Sequence, residues 1–236
     1  MKLRQFPISK KAGIANFSPF CLKLETYLRA TNTSFEIKPL FGNPQKEAPK
    51  GKLPFIELDG KKIADSSIII RSLKESHGID LDKNLSNEEL AISYAFQKLI
   101  EDHLGAIMLY YRWQDQEGWQ KTKKIFFSNL PKILQYIVPG IVRKTTIKAL
   151  WGMGMGRHSR LEISQFCDEG LSSLSIFLGN KKYFFGDEFH TLDVTAYGFL
   201  ANFYHDLNPE LKKSVEKFPN LVQFVDRVHE QFYREV

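Results

Sequence analysis

The sequence predicts an α/β domain over residues 1–80 followed by an all-helical domain over residues 86–236. Short segments with strand and helix patterns alternate through the first eighty residues, and Asp59-Gly60 separates two strand-like segments. After residue 84 the strand patterns end and helical spacing continues to the C-terminus. With 236 residues and 43% hydrophobic content, the chain is long enough for two modest domains with buried cores.

The first predicted elements are a strand over residues 2–8 and a helix that begins after Ser18. A polar loop, residues 9–16, connects them. Ser18 has the features of a helix N-cap, and Pro19 occupies the first helical position, where its missing N–H costs nothing. Cys21, Leu24 and Leu28 then follow at helical spacing.

A second strand and an antiparallel hairpin complete the predicted sheet. Residues 35–38 alternate like a strand that Pro39 ends, and three prolines and two glycines predict a loop over residues 39–51. Residues 55–58 and 61–64 flank Asp59-Gly60, a strong hairpin signal, and a helix follows over residues 67–76. A helix crossing between parallel strands, followed by a hairpin, gives a mixed four-stranded sheet.

The rest of the chain predicts helices. One starts at Ser86, with two glutamates in its first turn that favour the helix dipole. Residues 119–150 predict one or two basic amphipathic helices broken at Pro131 and at Pro139-Gly140, and the glycine-rich residues 151–156 predict a flexible turn. Further helices are predicted over residues 161–178, 191–205 and 220–233.

Composition narrows the class of protein. The net charge of +6 favours anionic small molecules, membrane surfaces or nucleic acid as partners without selecting among them. Cys21 and Cys167 lie far apart in predicted helices, which favours a reducing compartment over a disulfide framework. The N-terminus runs into a strand, and no window reaches the roughly 18 apolar residues of a membrane span. We therefore expect a soluble cytoplasmic protein, without a metal-binding motif.

Ser18-Pro19-Phe20-Cys21 has the spacing of a C-x-x-C redox motif in which serine replaces the first cysteine. That position lies at a helix N-terminus, where N–H groups and the helix dipole favour a negative sulfur atom. Ser18 cannot be a redox nucleophile, but its hydroxyl can donate a hydrogen bond to a ligand thiolate; the alternative is an ordinary N-cap. Cys21 is either a small buried hydrophobic residue or a thiol that forms mixed disulfides.

Two further motifs suit the backbone and the ends of a small peptide. Leu53-Pro54 predicts either a strand-initiating proline or a sheet edge at which the Leu53 backbone pairs with an extended peptide. Asp65 and Ser66 are both good N-cap residues, so helix capping alone is one interpretation. In the other, Ser66 and the first helical N–H groups bind a carboxylate while Asp65 binds an ammonium group.

Together these residues resemble the glutathione transferase superfamily, in particular its failed-axon-connections and metaxin-like branch. Similar segments extend over nearly the whole chain, at residues 18–29, 51–57, 63–70, 154–159, 178–187 and 191–194. The resemblance implies a thioredoxin-like (βαβ-ββα) N-terminal domain, an all-helical C-terminal domain and a homodimer. The superfamily usually has Ser or Thr three residues before Asp193, where this chain has His190, so we expect Thr191 to cap that helix instead.

The resemblance also implies a ligand and a reaction. Glutathione is the expected co-substrate, with no metal, and its thiol would be transferred to a hydrophobic electrophile. Ser18 is the expected catalytic hydroxyl, and the expected glutathione-binding residues are Lys52, Leu53, a cis Pro54, Asp65 and Ser66.

Several alternatives accompany this prediction. Tyr110, Tyr111 and Trp113 are candidates for lining the electrophile pocket, with core packing as the alternative. Lys121, Lys123 and Lys124, with Arg143, Lys144 and Lys148, form either a solvated helix face or a weak contact with an anionic membrane. No motif supports nucleic-acid binding. The alternatives to a transferase are a non-catalytic adaptor on the same fold and a thiol transferase that uses Cys21.

Overall fold

In the computed structural model of the chain, residues 1–7, 13–128, 130–205 and 208–235 are described. The strands β1 Lys2–Gln5, β2 Glu36–Pro39, β3 Phe55–Leu58 and β4 Lys61–Ala64 form a sheet in the order β2-β1-β3-β4. β1 is parallel to β2 and antiparallel to β3, which pairs antiparallel with β4. The predicted mixed sheet is confirmed. The first strand is shorter than the predicted residues 2–8, because Phe6 and Pro7 are not part of it, and residues 8–12 of the predicted strand and loop lie outside the described residues.

Helices account for the other elements of the described residues. The α-helices are α1 Pro19–Ala30, α2 Pro44–Glu47, α3 Ser66–His77, α4 Asn87–Lys98, α5 Gly105–Leu109, α6 Gln116–Phe127, α7 Lys132–Gly152, α8 Arg160–Leu178, α9 Thr191–Tyr204, α10 Pro209–Glu216 and α11 Pro219–Tyr233. The π-helical turn Leu99–Leu104 joins α4 to α5, a second, Tyr110–Gln114, continues the same helical run after α5, and a 3-10 helix, Met155–Arg157, lies between α7 and α8. The predicted fold class, an α/β sheet region followed by an all-helical region, is confirmed.

Local sequence signals explain the elements near the sheet. Asp59 and Gly60 have φ angles of 50° and 74°, the left-handed pair that a type I′ hairpin turn requires. α3 ends at His77, and Gly78, with a φ of 65°, turns the chain so that the Ile79 N–H donates to the Leu73 carbonyl oxygen at 3.3 Å. α2 interrupts the predicted loop over residues 39–51, because the Asn43 side chain caps it and Pro44 occupies its first position.

The helical region packs on α1 and shares an apolar cluster with the sheet. Leu24 of α1 and Ile69 of α3 share a buried cluster with Leu3 and Ile56 of the sheet, and Val194 of α9 belongs to the same cluster. All residues from 192 to 203 are buried, so α9 is a central helix with no solvated face.

A glycine lets α1 and α9 approach closely. A Cβ atom at Gly198 would lie 2.8 Å from the Pro19 carbonyl oxygen and 3.0 Å from the Lys23 backbone nitrogen. Because both are backbone atoms that cannot rotate away, only glycine fits this helix contact without moving one helix.

α7 contradicts the break predicted at Pro139-Gly140, whereas the break at Pro131 is confirmed. The helix runs through both residues, and Pro139 is buried inside it. An interior proline loses one helical hydrogen bond and costs about 3 kcal/mol. The remaining bonds of this 21-residue helix and the burial of Pro139 offset that cost.

Of the glycine-rich residues 151–156, Trp151 and Gly152 end α7, Met153 and Gly154 form a turn, and Met155 and Gly156 begin a 3-10 helix, Met155–Arg157. Gly154 has a φ of 92°, and a Cβ atom at Gly156 would lie 2.8 Å from the Trp151 backbone nitrogen. Conformational freedom at Gly154 and close approach at Gly156 therefore explain these glycines. Of the helices in the described residues, none combines the length and apolar character that crossing a membrane requires.

The prediction that Thr191 caps α9 is wrong. His190 is the N-cap residue, and its backbone N–H donates to Asp193 Oδ2 at 2.8 Å. The Thr191 N–H instead donates to Asp82 Oδ1 at 2.9 Å, so a residue from the segment before α4 completes the cap. Asp193 Oδ1 also accepts from the Phe184 N–H at 2.8 Å, and burial raises the pKa of this carboxyl group to about 7.

Candidate functional site

Ser18 lies half-buried at the start of α1 and acts as its N-cap. Its Oγ atom accepts a long hydrogen bond, 3.4 Å, from the Cys21 N–H, and its own backbone N–H donates to Asn16 Oδ1 at 2.9 Å. The cap uses a lone pair of the hydroxyl oxygen, and the hydroxyl proton can be donated to the Cys21 thiol or, after rotation of the hydroxyl, to a ligand. The capping interpretation is therefore confirmed, and it is compatible with a second role in binding.

The loop that carries Ser18 is held from the helical region. Arg112, in the turn Tyr110–Gln114, is buried and donates to the Phe17 carbonyl oxygen at 2.7 Å and to Asn202 Oδ1 at 2.9 Å. Asn202 of α9 donates in turn to the Asn16 carbonyl oxygen at 3.2 Å. The backbone on the N-terminal side of the hydroxyl is thus bonded to two elements of the helical region.

The Leu53-Pro54 peptide bond is cis and lies at one end of the sheet. The first residue of β3, Phe55, pairs with Ala64, the last residue of β4, so Leu53-Pro54 is adjacent to the residues that follow β4. Among the described residues, none hydrogen-bonds to the backbone N–H or C=O of Leu53. Lys52 is exposed beside it.

Asp65 and Ser66 follow β4 at the same end of the sheet. Asp65 Oδ1 caps α3 by accepting from the Ser67 and Ile68 N–H groups at 3.0 and 3.2 Å. The side chain of Asp65 is otherwise exposed, and the Ser66 hydroxyl makes no hydrogen bond to the described residues. One carboxylate oxygen and one hydroxyl group thus have capacity to bind a ligand at the N-terminus of α3.

The N-terminus of α1 packs against this end of the sheet. Cys21, one turn after Ser18, shares a buried cluster with Leu53, Phe55 and Ala64. The structure therefore places Ser18, Leu53-Pro54 and Asp65-Ser66 at the same end of the α/β region.

A buried polar network links α1 and α3 to the helical region. Lys23 has no solvent exposure, and its Nζ atom lies 2.6 Å from Glu101 Oε1 and 3.1 Å from Ser67 Oγ. Gln97 Nε2 donates to the same two oxygen atoms at 3.2 and 3.1 Å. Burial lowers the pKa of Lys23, and the negative charges of Glu101 and Asp65 oppose that shift. Ser67, directly after Ser66, is thereby tied to the helical region.

Cys21 is fully buried, and burial raises the pKa of its thiol to about 12; hydrogen bonds from Ser18 and from the Phe6 backbone oppose the shift. A thiol in this environment stays protonated at neutral pH and is out of contact with solvent, which favours its interpretation as a small buried residue. Cys167 is likewise free and buried, and its pKa is raised to about 12.

The three aromatic candidates for the electrophile pocket differ in their exposure. Tyr110 and Tyr111 are 7% and 2% exposed and belong to the core of the helical region, so they do not line an open pocket. Trp113 is half-buried and lies in a group of aromatic side chains. Phe126 of α6 contacts Trp113, and it also meets Phe6 and Phe17 with ring centroids 6.1 and 6.4 Å apart.

Phe126, Arg112 and Asn202 were missed at the sequence level. Phe126 lies in a lysine-rich segment that is typical of a solvated helix, and its contacts with Phe6 and Phe17 arise only when the chain folds back. Asn16, two residues before Ser18, is the one local signal, because an Asn side chain commonly accepts from the backbone N–H two residues on. No group of three His, Cys, Asp or Glu side chains suited to a metal ion occurs in the described part of the chain.

Comparison with known proteins decides the family. Residues 19–118 match the glutathione S-transferase N-terminal domain, and residues 167–228 match the glutathione S-transferase C-terminal domain. Over 228 residues, the chain is 34% identical to the isoprene-epoxide–glutathione S-transferase of Rhodococcus sp. (strain AD45), covering 93% of this chain and 94% of that protein. The chain belongs to the glutathione S-transferase superfamily.

Other relatives within the superfamily have different names and greater lengths. Failed axon connections of Drosophila melanogaster is 33% identical over 244 residues, which cover 97% of this chain and 57% of that protein. Metaxin-1 of Mus musculus is 31% identical over 199 residues, covering 80% of this chain and 61% of that protein. The chain thus spans less than two thirds of either relative, and the predicted superfamily and its relatives are confirmed.

Solved glutathione S-transferases share the fold at low sequence identity. Glutathione S-transferase III in its apo form aligns with a TM-score of 0.61 and 15% identity over 97% of this chain and 90% of that one. The enzyme from Methylobacterium radiotolerans, solved in complex with glutathione sulfonate, aligns with a TM-score of 0.59 and 17% identity over 97% and 91%. These similarities concern the fold alone.

Proposed function

We propose that the chain is a glutathione transferase in which Ser18 activates the thiol of bound glutathione for addition to a hydrophobic electrophile. The observation that carries the proposal is the placement of the Ser18 hydroxyl. It is half-exposed at a helix N-terminus, its proton can turn from the Cys21 thiol to a ligand, and it lies at the end of the sheet where the Leu53 backbone has no hydrogen-bond partner among the described residues. The glutathione S-transferase named above, 34% identical over nearly the full length of both chains, supports the same reaction class.

Each part of glutathione has a partner in this arrangement. The Leu53 N–H and C=O groups pair with the cysteinyl backbone as a short added strand. The Ser66 hydroxyl and the first N–H groups of α3 bind the γ-glutamyl carboxylate, and the second carboxylate oxygen of Asp65 binds its ammonium group. Lys52, exposed beside Leu53, pairs with the carboxylate at the other end of the tripeptide.

The hydroxyl can supply enough stabilisation for catalysis. A free thiol has a pKa of about 8.5, so it is mostly protonated at neutral pH. A hydrogen bond to a charged group contributes about 1.5–3 kcal/mol, and one pKa unit corresponds to about 1.4 kcal/mol. One donated bond therefore lowers the pKa of the thiol by about one to two units and makes thiolate a major form near pH 7. No covalent enzyme intermediate is required.

The electrophile would meet an apolar wall beside Ser18. Half-buried Phe126 packs against buried Phe17 and half-buried Trp113, and Phe20, two residues after Ser18, is partly exposed. Aromatic side chains of this kind bind hydrophobic substrates without selecting a particular one.

Calorimetric titration with glutathione and a conjugation assay with an aromatic halide test the proposal. We expect wild-type protein to bind glutathione and to conjugate it, with a rate that rises as the bound thiol ionises. Ser18→Ala should retain binding, raise the apparent pKa of the rate by about one to two units and slow conjugation at neutral pH by about tenfold. Ser34→Ala, a change at an exposed serine, is the matched control and should leave the rate unchanged.

Each result has a definite meaning. Absence of glutathione binding overturns the proposal, and unchanged turnover in Ser18→Ala overturns the role of the hydroxyl. Binding without conjugation of any electrophile in a broad panel overturns the transferase and leaves a non-catalytic adaptor as the function.

A further inference from the structure

The positive charge of the chain is concentrated in one segment. Residues 119–160, which we call the basic segment, contain nine lysine or arginine residues and no aspartate or glutamate. The remainder of the chain has 24 basic and 27 acidic residues and is therefore net negative, although the whole chain is net positive. A segment with this charge attracts polyanionic surfaces selectively.

Within the basic segment, α7 exposes a face that is apolar over its first half and basic over its second. Ile133, Ile137 and Ile141 are 75%, 54% and 60% exposed, and Lys144 and Lys148 are exposed further along. Spacings of four, four, three and four residues place all five on one side of the helix, which we call the α7 outer face. Monomeric soluble proteins rarely leave such apolar rows in water without a partner.

Exposed aromatic side chains flank this face. Tyr136 is 84% exposed near the apolar end, and Trp151 is 57% exposed near the basic end, where the Arg157 guanidinium lies 5.4 Å from its ring centroid. Tyrosine and tryptophan prefer the boundary between water and lipid, because one part of each ring is apolar and another part hydrogen-bonds.

We propose that the α7 outer face docks on an anionic lipid bilayer. The isoleucines enter the boundary between headgroups and acyl chains, and Lys144 and Lys148 lie at the level of the lipid phosphates. This surface lies outside the set of residues assigned to glutathione, so the inference stands independently of the proposed transferase activity.

The charge pattern disfavours other occupants. A second copy of the chain, related by a two-fold axis, would bring one basic segment against another and repel it. A nucleic acid would satisfy the lysines but would leave the three exposed isoleucines without an apolar partner. An anionic bilayer offers phosphates to the lysines and hydrocarbon to the isoleucines of the same helix face.

Vesicle co-sedimentation of the full chain tests the inference. Vesicles of phosphatidylcholine alone are compared with vesicles that also contain phosphatidylserine, at low and at high salt. We expect binding to the anionic vesicles alone, weakened by salt because the lysine contacts are screened within about 10 Å at 0.1 M salt. Lys144→Gln/Lys148→Gln should weaken binding about 25-fold, from about fivefold for each lysine near an anionic surface. Ile133→Ser/Ile137→Ser should weaken it at least about tenfold.

Two matched variants keep the test specific. Lys212→Gln/Lys213→Gln removes two exposed lysines from α10, and Leu161→Ser/Ile176→Ser removes two exposed apolar side chains from α8. We expect both controls to bind vesicles as the wild type does. Circular dichroism of every variant checks that its helices are retained.

The inference is overturned if the chain does not bind phosphatidylserine vesicles, or if the control variants weaken binding as much as the α7 variants do. It is also overturned if the chain prefers nucleic acid and Ile133→Ser/Ile137→Ser leaves that binding unchanged. Finally, it is overturned if vesicle binding is absent and the chain forms a concentration-dependent dimer that Ile133→Ser/Ile137→Ser abolishes. In the last case the α7 outer face is an interface between two copies of the chain.

Discussion

Removal of the Glu101 carboxylate tests whether the Lys23 network holds α1 and α3 to the helical region. Lys23 Nζ and Glu101 Oε1 are 2.6 Å apart, and their side chains are 0% and 5% exposed. In Glu101→Ala, the ammonium group would keep the Ser67 hydroxyl as a partner but would lose its countercharge. Breaking one side of a buried ion pair costs about 3–5 kcal/mol, and we expect about 4 kcal/mol for this variant. That is a large part of the roughly 5–15 kcal/mol that typically stabilises a folded protein.

The free energy of unfolding lost in Glu101→Ala should depend on pH, because the protonation of Lys23 depends on pH. Burial lowers the pKa of Lys23 below its ordinary value of 10.5, and Glu101 opposes that shift. The unfolded chain then binds more protons than the folded chain between the two pKa values, so stability rises with pH across that window. Removing Glu101 lowers the folded-state pKa further and widens the window. The difference between variant and wild type is therefore largest near neutral pH and shrinks as pH rises toward 10.5.

Urea denaturation followed by circular dichroism measures these free energies. Glu117→Ala is the matched control, because Glu117 forms an exposed pair with Lys121 at 3.4 Å and its loss should cost less than about 1 kcal/mol. Lys23→Met/Glu101→Leu should recover much of the loss, since it removes both charges. A cost below about 1 kcal/mol for Glu101→Ala, or a cost that does not change with pH, would refute the assignment of a buried, charge-compensated lysine.

Two further predictions concern stability. Asp193→Ala leaves the buried Phe184 and His190 N–H groups without an acceptor, so we expect it to lower the free energy of unfolding, measured by urea denaturation, by about 3 kcal/mol. A decrease of less than about 1 kcal/mol contradicts the cap described above. Gly198→Ala should lower the free energy of unfolding by about 2 kcal/mol or more, because its Cβ atom would lie 2.8 Å from the Pro19 carbonyl oxygen. Gly140→Ala on α7, whose Cβ atom would have no atom within 4 Å, should raise the free energy of unfolding by up to about 1 kcal/mol. Thermal denaturation of both glycine variants checks the contrast, and shifts of the same sign would argue against close packing of α1 on α9.

Elements that local chemistry specifies were predictable from the sequence. The Asp59-Gly60 turn has the left-handed φ angles that these residues favour, and Ser86 forms the predicted helix start, with a reciprocal bond to Glu89. Ser18 and Asp65 are N-caps for the same reason, because short polar side chains satisfy the first N–H groups of a helix. The candidate binding residues at helix starts could therefore be located from the amino-acid sequence alone.

Contacts between distant residues were not predictable. Lys23 and Glu101 are 78 residues apart, and Arg112 bonds to partners 95 and 90 residues away. Lys23 lies between two leucines in a helix whose other side packs on the sheet, and no local spacing marks a lysine for burial. Pro139 illustrates the converse case, since a strong local helix breaker is overruled by its surroundings.

The two sequence regions are therefore less independent than the pattern of strands and helices indicates. Ser18 caps α1, and Lys23 lies little more than one turn further along it. The backbone just before Ser18 is bonded to Arg112 and Asn202, and Lys23 is bonded to Glu101, so both ends of this first turn are held by the helical region. A fragment ending near residue 80 would retain every residue proposed to bind glutathione, but its Lys23 would be exposed without a countercharge and the loop before Ser18 would lose its anchors. The precise placement of Ser18 that the proposed thiolate hydrogen bond requires is thus a property of the whole chain, and we expect changes on α9 or in the turn Tyr110–Gln114 to alter it.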